Sequence, residues 1–308
     1  MTAPPKVWSP VRWADNKGVR IAYDRLLDSP RDGEPLLLLM GLGASRRWWP
    51  DGFCAALAAH GFAVARFDQR DAGESTHLPD TASRGPIDAL LHGRGEAYTA
   101  EDMADDAIAV MDALGWESAH LLGASLGGAA AQRLALRHPG RVRTLTSSSA
   151  VPGDLAGLRT LRHIRLGTLA KLARLKFPDT PEGDVEAGVA VARILASPAR
   201  PFDEEAARAG IERSADPGIR DQRAQSRQIG ARWHGPPISA LRTPTLVLHG
   251  EDDPLIRPSA ARRIAAAVPG SRLVVLPGVG HDLPEHAWAT VAAEVRGHAR
   301  LGSPRSRA

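Results

Sequence analysis

Hydrophobic positions along the chain follow two rhythms. Short apolar runs alternate with longer stretches in which apolar residues recur at helical spacing. Val19–Leu27 (VRIAYDRLL) alternates as a strand does, and Asp15-Asn16-Lys17-Gly18 before it predicts a hairpin turn. Leu36–Met40 is continuously apolar, the mark of a strand buried on both faces. Phe53–Gly61 predicts a helix closed by its glycine. Phe62–Phe67, Ala119–Gly123, Val142–Ser148, Thr245–His249 and Leu273–Leu276 predict further strands. Ala100–Leu114 predicts a helix, with Thr99 as N-cap and Asp102 completing a loose capping box. Leu126–His138, Ser259–Ala267 and Pro284–His298 predict three more, the first stopped by Pro139-Gly140. Strands alternating with helices imply an α/β protein, its mostly parallel sheet covered on both faces.

Residues 151–240 break the rhythm. They contain helical patterns but no clear strand, and Pro178, Pro181, Pro198, Pro201, Pro217 and Pro236-Pro237 punctuate them. The expected organisation is a discontinuous core, 1–150 and 241–308, with 151–240 inserted as a helical cap. No internal repeat is visible, and the final GSPRSRA reads as a frayed tail. Between Leu155 and Pro178 there is no acidic residue, while Arg159, Arg162, Arg165, Lys171, Arg174 and Lys176 are present and Leu166, Leu169, Leu172 and Leu175 recur every third position. That pattern suits a cap helix with a solvated face, or a basic amphipathic helix facing a membrane surface or an anionic substrate.

Composition changes this picture little. With 308 residues, 43% hydrophobic and 24% charged, the chain is ordinarily globular and neither disordered nor fibrous. The isoelectric point near 9.7 resembles that of nucleic-acid binders, but the net charge is only +4 and its cations are scattered, so no nucleic-acid partner is expected. Cys54 is the single cysteine, which precludes an intrachain disulfide and suits a reducing compartment. The first residues show no leader-like apolar segment, and the longest apolar run is far short of the roughly 20 residues of a membrane span. A cytoplasmic location without stable membrane insertion is the expectation. Neither a Cys/His metal spacing nor HExxH occurs, so no metal or other cofactor is expected.

Chemistry enters at Gly123-Ala124-Ser125-Leu126-Gly127, a G-x-S-x-G pattern preceded by an apolar strand and followed by a small-residue helix. A serine on so sharp a turn needs glycines two residues away on either side, and the helix behind it aims backbone N–H groups at the site. A serine nucleophile needs a general base, and the base needs an orienting carboxylate. His281 lies on a loop after the last strand, where sites of α/β sheets are built. His249 ends a strand and suits a core histidine with one satisfied nitrogen, while His286 and His298 suit the surface of the final helix. The acid is sought in Glu251-Asp252-Asp253, just after the preceding strand. Asp253, directly before the turn set by Pro254, is the first choice and Asp252 the reserve.

These pieces, LLLLMGLG, RFDQRDAGEST, HLLGASLGG, TPTLVLHGEDDPLI and LPGVGHDLP, resemble the α/β-hydrolase fold superfamily in order over roughly residues 20–150 and 240–300. Residues 40–76 resemble, more narrowly, the aclacinomycin methylesterase group of serine esterases. The resemblance implies an eight-stranded, mostly parallel sheet with the cap after the sixth strand. It places nucleophile, acid and base on Ser125, Asp253 and His281, and the oxyanion-binding N–H groups on Leu42 and Leu126. Where many relatives carry His-Gly after the third strand, this chain has Met40-Gly41, as the methylesterase-like group does.

The expected function is hydrolysis of carboxylic esters through an acyl-enzyme, with a small-molecule ester, methyl or bulky and polyketide-like, as substrate. Residue types leave the oligomeric state open between monomer and homo-oligomer. Gly41, Gly43, Trp48, Trp49 and Trp233 are pocket candidates. The same triad also serves C–C bond hydrolases, aminopeptidases and perhydrolases, and a non-catalytic ligand-binding relative is the alternative from another class. Dehalogenase and epoxide hydrolase chemistry is disfavoured, because both use an aspartate at the position of Ser125. Asp68, Arg70 and Asp71, charged and close to a strand end, read as a structural turn, and Cys54 as inert packing.

Overall fold

The computed structural model describes residues 8–79, 88–89, 97–214 and 221–302. Its chain begins with a hairpin, Arg12–Asn16 (β1) paired antiparallel with Val19–Arg25 (β2). Asp15 and Asn16 belong to the strand, and the turn itself is Lys17-Gly18, with φ of 55° and 86°. Two successive left-handed residues match the twist of the flanking strands, which is why this turn connects them tightly. The remaining strands are Glu34–Leu39 (β3), Phe62–Phe67 (β4), Ala119–Ala124 (β5), Val142–Ser148 (β6), Thr245–Gly250 (β7) and Arg272–Leu276 (β8). They form one eight-stranded sheet in the order β1-β2-β4-β3-β5-β6-β7-β8. β3 to β8 run parallel, and β2 joins β4 antiparallel.

Helices cover both faces. Asp51–Ala59 (α1), Ala100–Ala113 (α2) and Leu126–Arg137 (α3) precede β6. Leu158–Leu161 (α4), Leu166–Ala173 (α5), Pro181–Leu195 (α6), Glu204–Ser214 (α7) and Gln222–Gly230 (α8) lie between β6 and β7. Pro258–Ala267 (α9) and Glu285–Ala299 (α10) complete the chain. Among the described residues the stretch between β6 and β7 forms no strand. Pro217 and the tail beyond residue 302 fall outside the described residues.

The continuous apolar run in β3 follows from its central place. Leu37 and Leu39 join Leu121, Phe67 and the buried residues of α2, α3 and α9 in one core. Leu36 and Leu38 join Leu122, Val64 and the buried residues of α1 and α10 in the other. Each leucine removed from water contributes about 1.5–3 kcal/mol, so one strand anchors both layers. Cys54 is fully buried in the second core, and burial pushes its thiol up to about 12, as befits a packing residue. Thr99 caps α2 with both reciprocal hydrogen bonds to Asp102.

His298 corrects the sequence reading. It is buried, because Ala287, Val291, Val295 and His298 recur at helical spacing along the packed face of α10. Position on the helix, not polarity, decided its burial.

Candidate active site

β5 runs directly into Ser125, which sits at φ 54°, ψ −121° before α3 begins. Left-handed geometry at a serine is strained, and strain of this kind is sustained only where neighbours enforce it. Here the Ser125 N–H donates to the Ser148 carbonyl at 2.9 Å, locking the turn to the end of β6. The flanking glycines are steric necessities. A Cβ on Gly123 would lie 2.3 Å from the Gly127 carbonyl oxygen, and one on Gly127 would lie 2.1 Å from that of Leu39.

His281 follows β8, and its Nε2 is 3.0 Å from the Ser125 Oγ. Its Nδ1 is 2.7 Å from Asp253 Oδ2. With the Nδ1 proton donated to the carboxylate, Nε2 is the acceptor that faces the hydroxyl. Asp253 is fully buried, and its other oxygen accepts the N–H groups of Leu255 and Ile256 at 2.8 and 2.7 Å. Burial alone would raise the pKa of Asp253, but the charge and hydrogen bond of His281, together with the Ile256 N–H, hold it below the usual carboxylate range. Burial alone would lower that of His281; Asp253 and, more weakly, Asp282 reverse the sign and raise it above the ordinary imidazole value. The geometry brings Ser125, His281 and Asp253 into one hydrogen-bonded line.

Asp252 points elsewhere, its Oδ2 accepting the Ser197 hydroxyl at 2.7 Å. His249 is buried at the end of β7 with Nε2 3.2 Å from the Ile256 carbonyl and, among the described residues, no hydrogen-bond partner for Nδ1, a core histidine with one satisfied nitrogen. His286 is exposed. The Asp68–Asp71 turn is a buried ionic brace. Arg46 pairs with Asp24 and Asp68, Arg70 with Asp106 at 2.6 Å, and Arg227 of α8 with Asp71 at 2.8 Å.

A cavity of about 1740 Å³ opens over Ser125 and His281. Gly41, Leu42, Trp48 and Trp49 line it, facing Leu172, Leu175 and Phe202 from the stretch between β6 and β7. Gly41 lies so close that a Cβ there would stand 3.3 Å from that of Ser125. Leu42 follows it on the same loop and lines the cavity, and Leu126, the first residue of α3 after Ser125, packs its side chain against the cluster of Tyr98, Ala100 and Met103. Two candidates do not reach the cavity wall. Gly43 adopts φ +66° and gives its N–H to Gln228 Oε1 at 2.9 Å, so it shapes the loop from behind. Trp233 packs against the cluster of Tyr98, Ala100 and Met103 and donates to the Pro236 carbonyl.

Sequence reasoning missed the contacts made by α8 and by the chain after α6. Gln228 holds Gly43, and the Leu195 carbonyl accepts the N–H of His281 at 2.8 Å. Their trace in the sequence is Gly280, where a Cβ would collide with the backbone of residues 195–197. Among the described residues no group of His, Cys, Asp or Glu is arranged to hold a metal ion, and no helix is long and apolar enough to cross a membrane.

Comparison with known proteins agrees with this architecture. The family model described as alpha/beta hydrolase fold matches residues 34–286. Rhodomycin D methylesterase DauP of Streptomyces sp. (strain C5) is 31% identical, over 90% of this chain and 94% of its own. Rhodomycin D methylesterase DnrP of Streptomyces peucetius is also 31% identical, over 96% and 99%. Among solved structures, the esterase RhEst1 from Rhodococcus sp. ECU1013 superposes with a TM-score of 0.70 at 23% identity, covering 94% of this chain and 98% of that one.

Proposed function

Because the chain belongs to the α/β-hydrolase fold family, we propose that it is a serine hydrolase of carboxylic esters, with Ser125 as nucleophile, His281 as general base and Asp253 as its orienting acid. The observation that carries this reading is the continuous line from Ser125 Oγ through His281 to the buried Asp253, at 3.0 and 2.7 Å. Ser125 Oγ attacks the ester carbonyl while His281 Nε2 takes the hydroxyl proton. Asp253 fixes the tautomer and stabilises the imidazolium that forms. The negative charge that develops on the carbonyl oxygen falls to the backbone N–H groups of Leu42 and Leu126. Collapse breaks the C–O bond to the alcohol, which leaves with the proton from His281. Water then repeats the cycle on the acyl-enzyme, giving up its proton to His281 and releasing the acid and Ser125.

Residues 151–240 act as a cap over this site. Support comes from Leu172, Leu175 and Phe202, which wall the cavity opposite the loop of Gly41 and Leu42. A volume of about 1740 Å³ lies well above the roughly 300–1,000 Å³ of ordinary ligand pockets. It accommodates a bulky acid esterified with a small alcohol, and the two methylesterase relatives favour a methyl ester.

A fluorophosphonate probe, which phosphonylates activated serines, tests the assignment. Wild-type protein gains one adduct, mapped to Ser125 by peptide mass analysis. Ser125→Ala loses both the adduct and at least about 10⁴-fold of kcat on p-nitrophenyl acetate while keeping its circular dichroism spectrum. A folded Ser125→Ala protein with wild-type turnover refutes the nucleophile.

A further inference from the structure

The chain leaving α6 touches both loops that carry the charged partners of Ser125. The Leu195 carbonyl accepts the backbone N–H of His281 itself, at 2.8 Å. Gly280 packs so tightly against this segment that a Cβ would lie 2.4 Å from the Ser197 nitrogen and 2.6 Å from the Leu195 oxygen. Ser197, 2% exposed, donates to Asp252 beside Asp253. Asp252 in turn gives its N–H to the Val279 carbonyl at 3.0 Å, joining the acid loop to the histidine loop. Arg200 pairs with the carboxylate of Asp282, the residue after His281. The other oxygen of Asp282 accepts the Gly280 N–H at 3.0 Å, so this ion pair closes a ring around the base.

We propose that residues 195–200 form a strap that positions the base: Ser197 fixes the acid loop, and Arg200, through Asp282, holds the histidine loop and cancels a negative charge beside His281. Both are positioning residues, since neither touches the reacting atoms. The proposal rests on the reading of His281 as general base and extends it. It gives the stretch between β6 and β7 a part in holding the base as well as in walling the cavity.

Charge makes the strap separable from mere scaffolding. His281 faces Asp253 from the β7 loop, Asp282 from its own loop, His249 at the end of β7 and Ser125 at the elbow. Arg165 reaches the Asp253 carbonyl at 3.1 Å, and Arg200 completes the set. Asp282 favours protonated His281, and the guanidinium of Arg200 sets an opposite charge against that same carboxylate. Removing Arg200 therefore raises the pH at which the base becomes available, whereas removing the Asp282 charge lowers it. A structural defect has no reason to move the two in opposite directions.

The test is the pH dependence of kcat/KM on p-nitrophenyl acetate, with fluorophosphonate labelling of Ser125 in parallel. The wild-type acid limb lies above the ordinary imidazole value of about 6.5. Arg200→Gln moves it up by about half a pH unit or more, Asp282→Asn moves it down by a similar amount, and Arg200→Lys restores the wild-type limb. Ser197→Ala lowers kcat about tenfold with KM unchanged. Limbs that coincide in all the variants overturn the charge-cancelling role of Arg200, as does a rise in KM for Arg200→Gln with its limb unmoved. Wild-type kcat in Ser197→Ala overturns the positioning role of Ser197. Should Arg200→Gln fail to fold, Asp282→Asn decides, because a downward shift is required of it. Absence of label on Ser125 in wild-type protein refutes the serine hydrolase reading itself. Normal labelling with stationary limbs refutes the strap alone.

Discussion

The sheet and the helical stretch between β6 and β7 are built to different standards. Every residue of β7 is buried, whereas α5 buries none and α6 buries only Gly183, Ala187, Gly188 and Val189. All the reacting groups proposed above stand at the ends of sheet strands or on their loops, and the facing wall of the cavity comes from the helical stretch. Catalytic geometry tolerates errors well under an ångström, so it belongs on elements whose packing fixes them from two sides. A wall that meets varied substrates has no such requirement. The comparison teaches most at its exceptions. Arg227 reaches Asp71, Gln228 reaches Gly43 and residues 195–200 reach the histidine loop. Two of these three ties run to loops beside the proposed reacting groups, the loop of Leu42 and Gly43 and the loop of His281.

The comparison is easiest to break at the two neighbouring carboxylates. Asp253→Asn, within the rigid part, costs about 10⁴-fold in kcat because the amide stabilises the wrong tautomer and no imidazolium. Asp252→Asn, which touches only the strap, costs less than about tenfold, roughly 1.4 kcal/mol. Steady-state kinetics on p-nitrophenyl acetate separate them, and equal losses would mean that Asp253 is not the acid. Next in size is a contrast in stability. Leu121→Ala, in the core shared by β5, α2 and α3, destabilises by about 2–5 kcal/mol, whereas Leu166→Ala on α5, at 56% exposure, stays within about 0.5 kcal/mol. Urea unfolding reads both, and a large loss at Leu166 would show the helical stretch to be as tightly packed as the sheet. The smallest effect concerns the wall. Leu172→Ala or Leu175→Ala shifts preference between short-chain and bulky aromatic esters while changing turnover of p-nitrophenyl acetate by less than about tenfold. Trp233→Ala, away from the cavity, leaves that preference alone. A selectivity change at Trp233 with none at Leu172 would reverse the assignment of the wall.

The sheet was legible in the sequence because its signals are local. Phe62–Phe67 and Val142–Ser148 occupy the residues their apolar patterns predict, and Thr99 caps the helix it precedes. The proposed site was legible to the extent that strand ends bring its residues together. Knowing that Ser125, Asp253 and His281 each follow a strand of one parallel sheet is enough to place them on one edge. What stayed hidden depends on partners far apart in the chain. Gly43 and Gln228 are 185 positions apart, and Ser197 and Asp252 are 55 apart, so no periodicity connects them. Trp233 was misjudged for the same reason. An aromatic residue in a helical stretch has no address until the tertiary packing supplies one.

Strand order carries a final consequence, for the timing of synthesis. Six of the eight strands, including the one that delivers Ser125, are encoded before residue 149, whereas the proposed acid and base follow the last two. A growing chain can thus pair β3, β5 and β6 around Ser125 while Asp253 and His281 do not yet exist. At roughly 5–20 residues per second, about 130 further residues keep Ser125 without its proposed base for roughly 7 to 26 s. On the proposed roles, the nascent hydrolase stays chemically silent until its last two strands dock, so activity itself would report that the sheet is complete.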